Sequence, residues 1–224
     1  MRASFTVLYD ASVLYPASLR SLLMYLGLSD LFRARWTEEI HDEWIRSLLR
    51  NRPELSAAAL TRTRQLMNMH MEGAIIHGYE NLIPSITLPD PDDRHVLAAA
   101  IYGRVDLIVT YNLNDFPATE LNRYGIEAQH PDEFLAHLFD LNPHAVIGAV
   151  RQQRSKLQNP PVSPSELLAL MERLQLPITV RNLRNYIDVL CSSEILHSFG
   201  VHRSRDPRGS KISIIQASCS AHIT

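Results

Sequence analysis

The chain has 224 residues, 46% hydrophobic and 21% charged, with a formal net charge of −2. This is the profile of a globular protein with room for a main domain and an appendage, and with a core that needs neither disulfides nor a structural metal. The two cysteines, Cys191 and Cys219, exclude a disulfide framework and a zinc-finger spacing. No apolar run approaches the roughly 18 residues of a bilayer span and the opening MRASFTVLYDAS has no signal-peptide pattern, so a cytoplasmic protein with no membrane partner is expected.

Residues 5–8 (FTVL) are a short, partly β-branched apolar run leading to Asp10, and they predict a buried strand. Pro16 and Ser18 introduce an apolar helix over residues 18–28. Thr37 is a good N-cap for a helix through Arg50, with Ile40, Trp44 and Leu48 on one face. A helix follows over 56–71, a short strand over 74–76, and a proline-rich loop over 81–91. Asp92 is placed to cap a helix carrying Val96, Leu97, Ala100 and Ile101, which Gly103 ends. Residues 106–110 (DLIVT) predict a second buried strand, 111–117 a loop, 118–124 a short helix and 126–129 a strand. Pro131 and Asp132 open a helix that ends near Asp140. Beyond it, residues 142–158 read as helical, 159–165 (NPPVSPS) as a linker, 166–176 and 179–190 as two helices, and 203–211 (RSRDPRGSK) as a flexible basic loop.

Apolar runs alternating with helical periods argue for an α/β protein with a mostly parallel sheet covered on both faces. In such sheets chemistry collects at the carboxyl ends of the strands. Asp10 follows the first run, and Asn112 and Asp115 follow the second. Asp93 stands three, four and seven residues before Val96, Leu97 and Ala100, at the start of a buried helical face. Asp92 is more solvent-facing and Asp90 belongs to the loop. Glu39 and Glu43 share one edge of their helix, and periodicity does not choose between them.

Each acid has an ordinary alternative: a cap, a helix N-terminus worth about 0.3–1 kcal/mol, or turn chemistry. Together, Asp10, Asp93 and Asp115 are placed to converge at one sheet edge. Carboxylates gathered in that way suit hard cations such as Mg²⁺ or Mn²⁺, which lower the pKa of a bound water and stabilise charge on a phosphodiester. No GxSxG, P-loop, GxGxxG or HExxH motif is present, and the ten histidines have no paired ligand spacing.

The segments YDASVLYP, TEEIHDEW, LPDPDDRHVLAAA, DLIVTYNLNDFP and HPDEFL, in that order, resemble a PIN domain. They are most similar to the toxin ribonucleases of bacterial VapBC-type toxin–antitoxin systems. The resemblance implies a three-layer α/β/α domain over residues 1–140 with a mostly parallel central sheet, followed by a helical extension over 141–224. It implies an endoribonuclease using Mg²⁺ or Mn²⁺, with Asp10, Glu43, Asp93 and Asp115 as metal-holding catalytic acids. Ser12, Thr110 and Asn112 would support them; Glu43 is preferred to Glu39 by family position alone. Many members carry an aspartate where this chain has Asn112, which leaves open whether Asp115 or Asn112 meets the metal. An RNA substrate, a cognate antitoxin and a homodimer are expected partners.

Charge is unevenly divided, with a balance of −7 over residues 1–140 and +5 over 141–224. The basic extension is expected to pack against the body and to meet RNA phosphates through Arg151, Arg154, Lys156, Arg181 and Arg184, with a docking surface for an antitoxin as the alternative. The competing reading is a non-catalytic RNA- or protein-binding module on the same scaffold.

Overall fold

Thr6–Tyr9 is buried at every position, as a strand covered on both faces must be, and forms the inner strand β1 of a parallel sheet. The computed structural model describes residues 5–158 and 160–191; the expected loop at 203–211 and Cys219 lie outside them, as does the side chain of Cys191. Beside β1 lie β2 (Arg33–Arg35), β3 (Leu107–Val109) and β4 (Glu127–Gln129), in the order β2-β1-β3-β4 with all neighbours parallel. In the register, Leu8 faces Arg35 on one side and Ile108 on the other. The chain moves from β1 to β2 in one direction and then returns to place β3 on the opposite flank. The strand order therefore reverses between β1 and β3, and a crevice opens at their carboxyl ends.

The helices are α1 (Ala11–Leu14), α2 (Ala17–Gly27), α3 (Glu38–Asn51), α4 (Ala57–His70), α5 (Arg94–Tyr102), α6 (Ala118–Leu121), α7 (Pro131–Leu141), α8 (Pro143–Lys156), α9 (Pro164–Arg173), α10 (Pro177–Arg184) and α11 (Ile187–Cys191). With the sheet they make the three-layer α/β/α architecture with a helical C-terminal region. Local sequence accounts for several starts. Thr37 Oγ1 accepts from the Ile40 amide at 3.0 Å, Ser56 caps α4, and Ser163 with Glu166 forms a reciprocal capping box on α9. Gly125, at φ 68°, turns the chain in the left-handed region just before β4. Among the described residues no helix is long and apolar enough to cross a membrane.

Several local expectations are corrected. Residues 74–76 make only an isolated parallel bridge, Ile75 to Trp36, and the edge strand is instead the charged Arg33–Arg35. An edge strand needs only one buried position, here Ala34, so its sequence lacks an apolar run. The expected loop at 81–91 is in part the 3₁₀ helix Glu80–Ser85. Asp90, not Asp92, caps the next turn, accepting from the Asp92 amide at 2.9 Å, and α5 begins only at Arg94. The helix expected over 179–190 is two helices, α10 and α11.

A buried polar network pins α3 to α4. Trp44 Nε1 donates to His41 Nδ1 at 3.0 Å, and an indole nitrogen can only donate. The His41 proton therefore sits on Nε2, facing Asn68 Oδ1 at 3.0 Å, which also accepts from Trp36 Nε1 at 2.8 Å. Burial lowers the His41 pKa to about 4, against the opposing hydrogen bond to Asn68. Because the folded value lies below the unfolded one, this stability is complete above about pH 6.5 and lost as pH falls towards 4. Between pH 7 and 4.5 the protein is expected to lose about 2–3 kcal/mol more than a His41→Phe variant does in denaturant titrations. Equal losses in the two proteins would show that His41 carries no such linkage.

The helical C-terminal region is tied back to the body. Gln153 on α8 is buried and donates to the Ser18 carbonyl at 2.6 Å, at the start of α2. Asp132 on α7 accepts from the Ile178 and Thr179 amides of α10 at 2.9 and 2.8 Å. Phe139 meets Tyr186 edge-on with ring centroids 5.7 Å apart.

Candidate active site

Asp10 stands at the carboxyl end of β1, 4% exposed, where its amide donates to the Val109 carbonyl at 3.1 Å. Burying an unpaired carboxylate is costly, and here four donors compensate. Oδ1 accepts from the Ala11 amide at 2.7 Å. Oδ2 accepts from Ser12 Oγ at 2.6 Å, Thr110 Oγ1 at 2.7 Å and the Ser12 amide at 3.3 Å. Each hydroxyl has one proton and gives it to Asp10, so each oxygen is left to accept. Ser12 Oγ accepts the Tyr111 amide at 3.1 Å and Thr110 Oγ1 the Asn112 amide at 3.0 Å. The loop after β3 is thus wrapped around the carboxylate at the end of β1, and the two hydroxyls form the joint.

Asp93 is partly buried at the N-cap position of α5, yet its side chain makes no capping hydrogen bond. Asp93 can act on the N-terminus of α5 through its charge but not through a capping hydrogen bond. Burial first, then the negative charges of Asp10, Asp115, Asp90 and Glu43, push its carboxyl up to about 7. Acids from four separate segments therefore act on one another in the crevice between β1 and β3. Asp115, at the end of the 3₁₀ turn Leu113–Asp115, is half-buried and belongs to this group. Asn112 has an exposed side chain, and its amide is used in holding Thr110.

Glu43 is the helix glutamate whose charge reaches Asp93. Its Oε1 lies 2.7 Å from Nε2 of His95, a ring only 4% exposed. Glu39 lies further out, accepting from the Tyr79 hydroxyl at 3.1 Å and standing 3.5 Å from His95 Nδ1. Geometry thus separates two glutamates that periodicity left tied. Burial alone would lower the His95 pKa, but hydrogen bonding and charge from Glu43, then the charges of Glu39 and Asp10, outweigh it and raise it. Sequence reasoning missed His95. The available signal was a histidine two residues after Asp93, beginning the otherwise apolar run HVLAAA. Ligand atoms of Glu39, Glu43 and His95 all lie within 4.8 Å of one another.

The five basic residues expected to meet RNA phosphates differ in how the structure holds them. Arg154 donates to the Val162 carbonyl at 3.3 Å, and Arg184 pairs with Glu172. Both therefore help hold the extension together. Arg151 and Lys156 are half-buried, and Arg181 is exposed.

Residues 6–114 match the family model described as PIN domain. The chain carries a PIN domain. Its β1–β3 crevice, with Asp10, Glu43, Asp93 and Asp115, lies in that matched span apart from Asp115 one residue beyond it. Residues 131–185 match a second family, the VapC50 C-terminal domain. A protein of Mycobacterium tuberculosis (strain ATCC 25618 / H37Rv), described as "Putative ribonuclease VapC50", is 40% identical over 95 residues. That stretch covers 42% of this chain and 56% of the relative, so the likeness spans little more than half of the relative's length. No solved structure matches the chain.

Proposed function

We propose that this PIN-domain chain is a metal-dependent endoribonuclease that uses Mg²⁺ or Mn²⁺, and the toxin of a toxin–antitoxin pair. The observation that carries the reading is the gathering of Asp10, Glu43, Asp93 and Asp115 from four segments at the carboxyl ends of β1 and β3, where burial and the neighbouring acids push the Asp93 carboxyl up to about 7. Such a group is poorly placed without a cation, and an all-oxygen carboxylate set suits a hard divalent ion. Asp10, Asp93 and Asp115 would hold it, with Glu43 beside them. When bound, such an ion supplies an activated water and charge stabilisation on the phosphodiester.

The protein's own residues do the positioning. Ser12 and Thr110 fix the Asp10 carboxylate by two short hydrogen bonds, leaving Oδ1 with acceptor capacity beyond its one amide donor. His95 orients Glu43 from the buried side. In this reading residues 1–140 form the nuclease unit, and the extension over 141–224 contributes phosphate contacts from Arg151, Arg154, Lys156, Arg181 and Arg184. A cognate antitoxin, a homodimer and a cytoplasmic location complete the proposal. The RNA substrate and the antitoxin are supported by the likeness to the relative described as a ribonuclease and to the VapC50 C-terminal domain.

The test is incubation of purified, antitoxin-free protein with single-stranded RNA and, in parallel, single-stranded DNA, with Mg²⁺, with Mn²⁺ and with EDTA. RNA cleavage that requires metal is the expected result. Cleavage that persists in EDTA would overturn the metal mechanism, and preference for DNA would overturn the substrate. Tight RNA binding without cleavage would favour the non-catalytic module.

A further inference from the structure

Tyr111 is held at two points that belong to different parts of the molecule. Its amide donates to Ser12 Oγ at 3.1 Å, and Ser12 Oγ donates to Asp10 at 2.6 Å. Its hydroxyl donates to the Leu174 carbonyl at 2.7 Å, 63 residues along the chain. Leu174 is the residue that closes α9, where the chain turns through Gln175 at φ 57° into α10. A carbonyl at a helix end has no partner within the helix, and the Tyr111 hydroxyl supplies one. The ring is clamped between these two bonds by His130, edge-on at 5.0 Å between centroids. His130 in turn accepts from the Asp132 amide at 3.2 Å, and Asp132 holds the first turn of α10.

We propose that Tyr111 is a positioning residue through which the helical C-terminal region sets the Asp10 carboxylate. The inference rests on the reading that Asp10 helps to hold a divalent cation. The path from the end of α9 to the carboxylate runs through one side chain, one peptide and one serine hydroxyl. The neighbouring Thr110 makes the second hydroxyl bond to the same Oδ2 atom, so movement of the 110–111 peptide disturbs both donors together. Partners one step removed from a metal ligand tune its affinity because they fix its orientation. Here that role reaches across from a region outside the residues matched by the PIN-domain model.

The test uses the full chain and four proteins: parent, Tyr111→Phe, Ser12→Ala and the double variant. Mn²⁺ binding is followed by calorimetry, RNA turnover by kcat and KM, and folding by Tm. Tyr111→Phe keeps the ring and removes only the hydroxyl. It is expected to weaken Mn²⁺ binding about three- to tenfold and to lower kcat with little change in KM. Because the path passes partly through Ser12, the same change in the Ser12→Ala background is expected to weaken Mn²⁺ binding by a smaller factor than in the parent, the remainder being carried through Thr110. If Tyr111 serves only to staple the C-terminal region, Tm falls equally in both backgrounds while Mn²⁺ affinity stays within twofold of the parent; that result overturns the proposal. A parent that binds Mn²⁺ but does not cleave RNA would sink the nuclease reading and leave this inference to stand or fall on affinity alone.

Discussion

Asp93→Asn is expected to abolish RNA cleavage, by at least a hundredfold, and at the same time to make the metal-free protein more stable at neutral and alkaline pH. The carboxyl is raised to about 7 in the folded protein, by burial first and then by Asp10, Asp115, Asp90 and Glu43. An unfolded aspartate titrates near 3.9. Since the folded value is the higher one, the folded state binds more protons between these two limits. The favourable part of this linkage is fully present below about pH 4 and lost as pH rises through 7. Ionising Asp93 in the crowded site thus costs the metal-free fold about 2–4 kcal/mol once part of the shift is discounted for solvent. The neutral amide avoids that cost, so its Tm at pH 8 is expected to lie several degrees above the parent's. Mn²⁺ is expected to raise the Tm of the parent and to have much less effect on the variant. Thermal melts at pH 5 and pH 8, with and without Mn²⁺, provide the check. A variant less stable than the parent at pH 8 would show that Asp93 is a structural residue.

The largest loss of stability outside the crevice is expected from Asp132→Ala. Pro177 occupies the first turn of α10, and the cap residue Leu176 offers no side-chain acceptor. The amides of Ile178 and Thr179 would therefore be unpaired without help from elsewhere. Asp132, 4% exposed on α7, accepts both, and it also accepts the Thr179 hydroxyl at 2.7 Å. Its negative charge faces the positive end of α10 as well. Truncation strands three donors, two of them on a residue buried almost completely, and is expected to cost about 3–5 kcal/mol. That corresponds to a fall in Tm of roughly 10 °C for a chain of this size. Asp132→Asn retains one acceptor oxygen and is expected to lose less. Guanidinium titrations of the two variants would measure the difference, and a loss under 1 kcal/mol for the alanine variant would remove Asp132 from the role described.

The reach of the sequence is clearest at Asp10 and Asp93. A carboxylate at the end of an apolar run, and another at the head of a buried helical face, stand out because burial is periodic in strands and helices. The same periodicity made the α/β class and most helices legible, as did the local capping chemistry of Thr37 and the turn that Asp115 ends. Residue order also carried the likeness to a PIN domain. Periodicity is silent wherever a side chain acts across the fold. It could not separate Glu43 from Glu39, because the choice depends on which one faces His95 and Asp93 from another helix. It did not reveal β2, whose three residues pair through backbone groups and carry two arginines at an edge. Nor did it reveal Tyr111 and Asp132, whose partners lie 63 and 46–47 residues away. Local spacing thus determined the class of fold and the candidate acids. Only tertiary packing decided which of those acids share one crevice, because their mutual repulsion exists only once the strands and helices have brought them together.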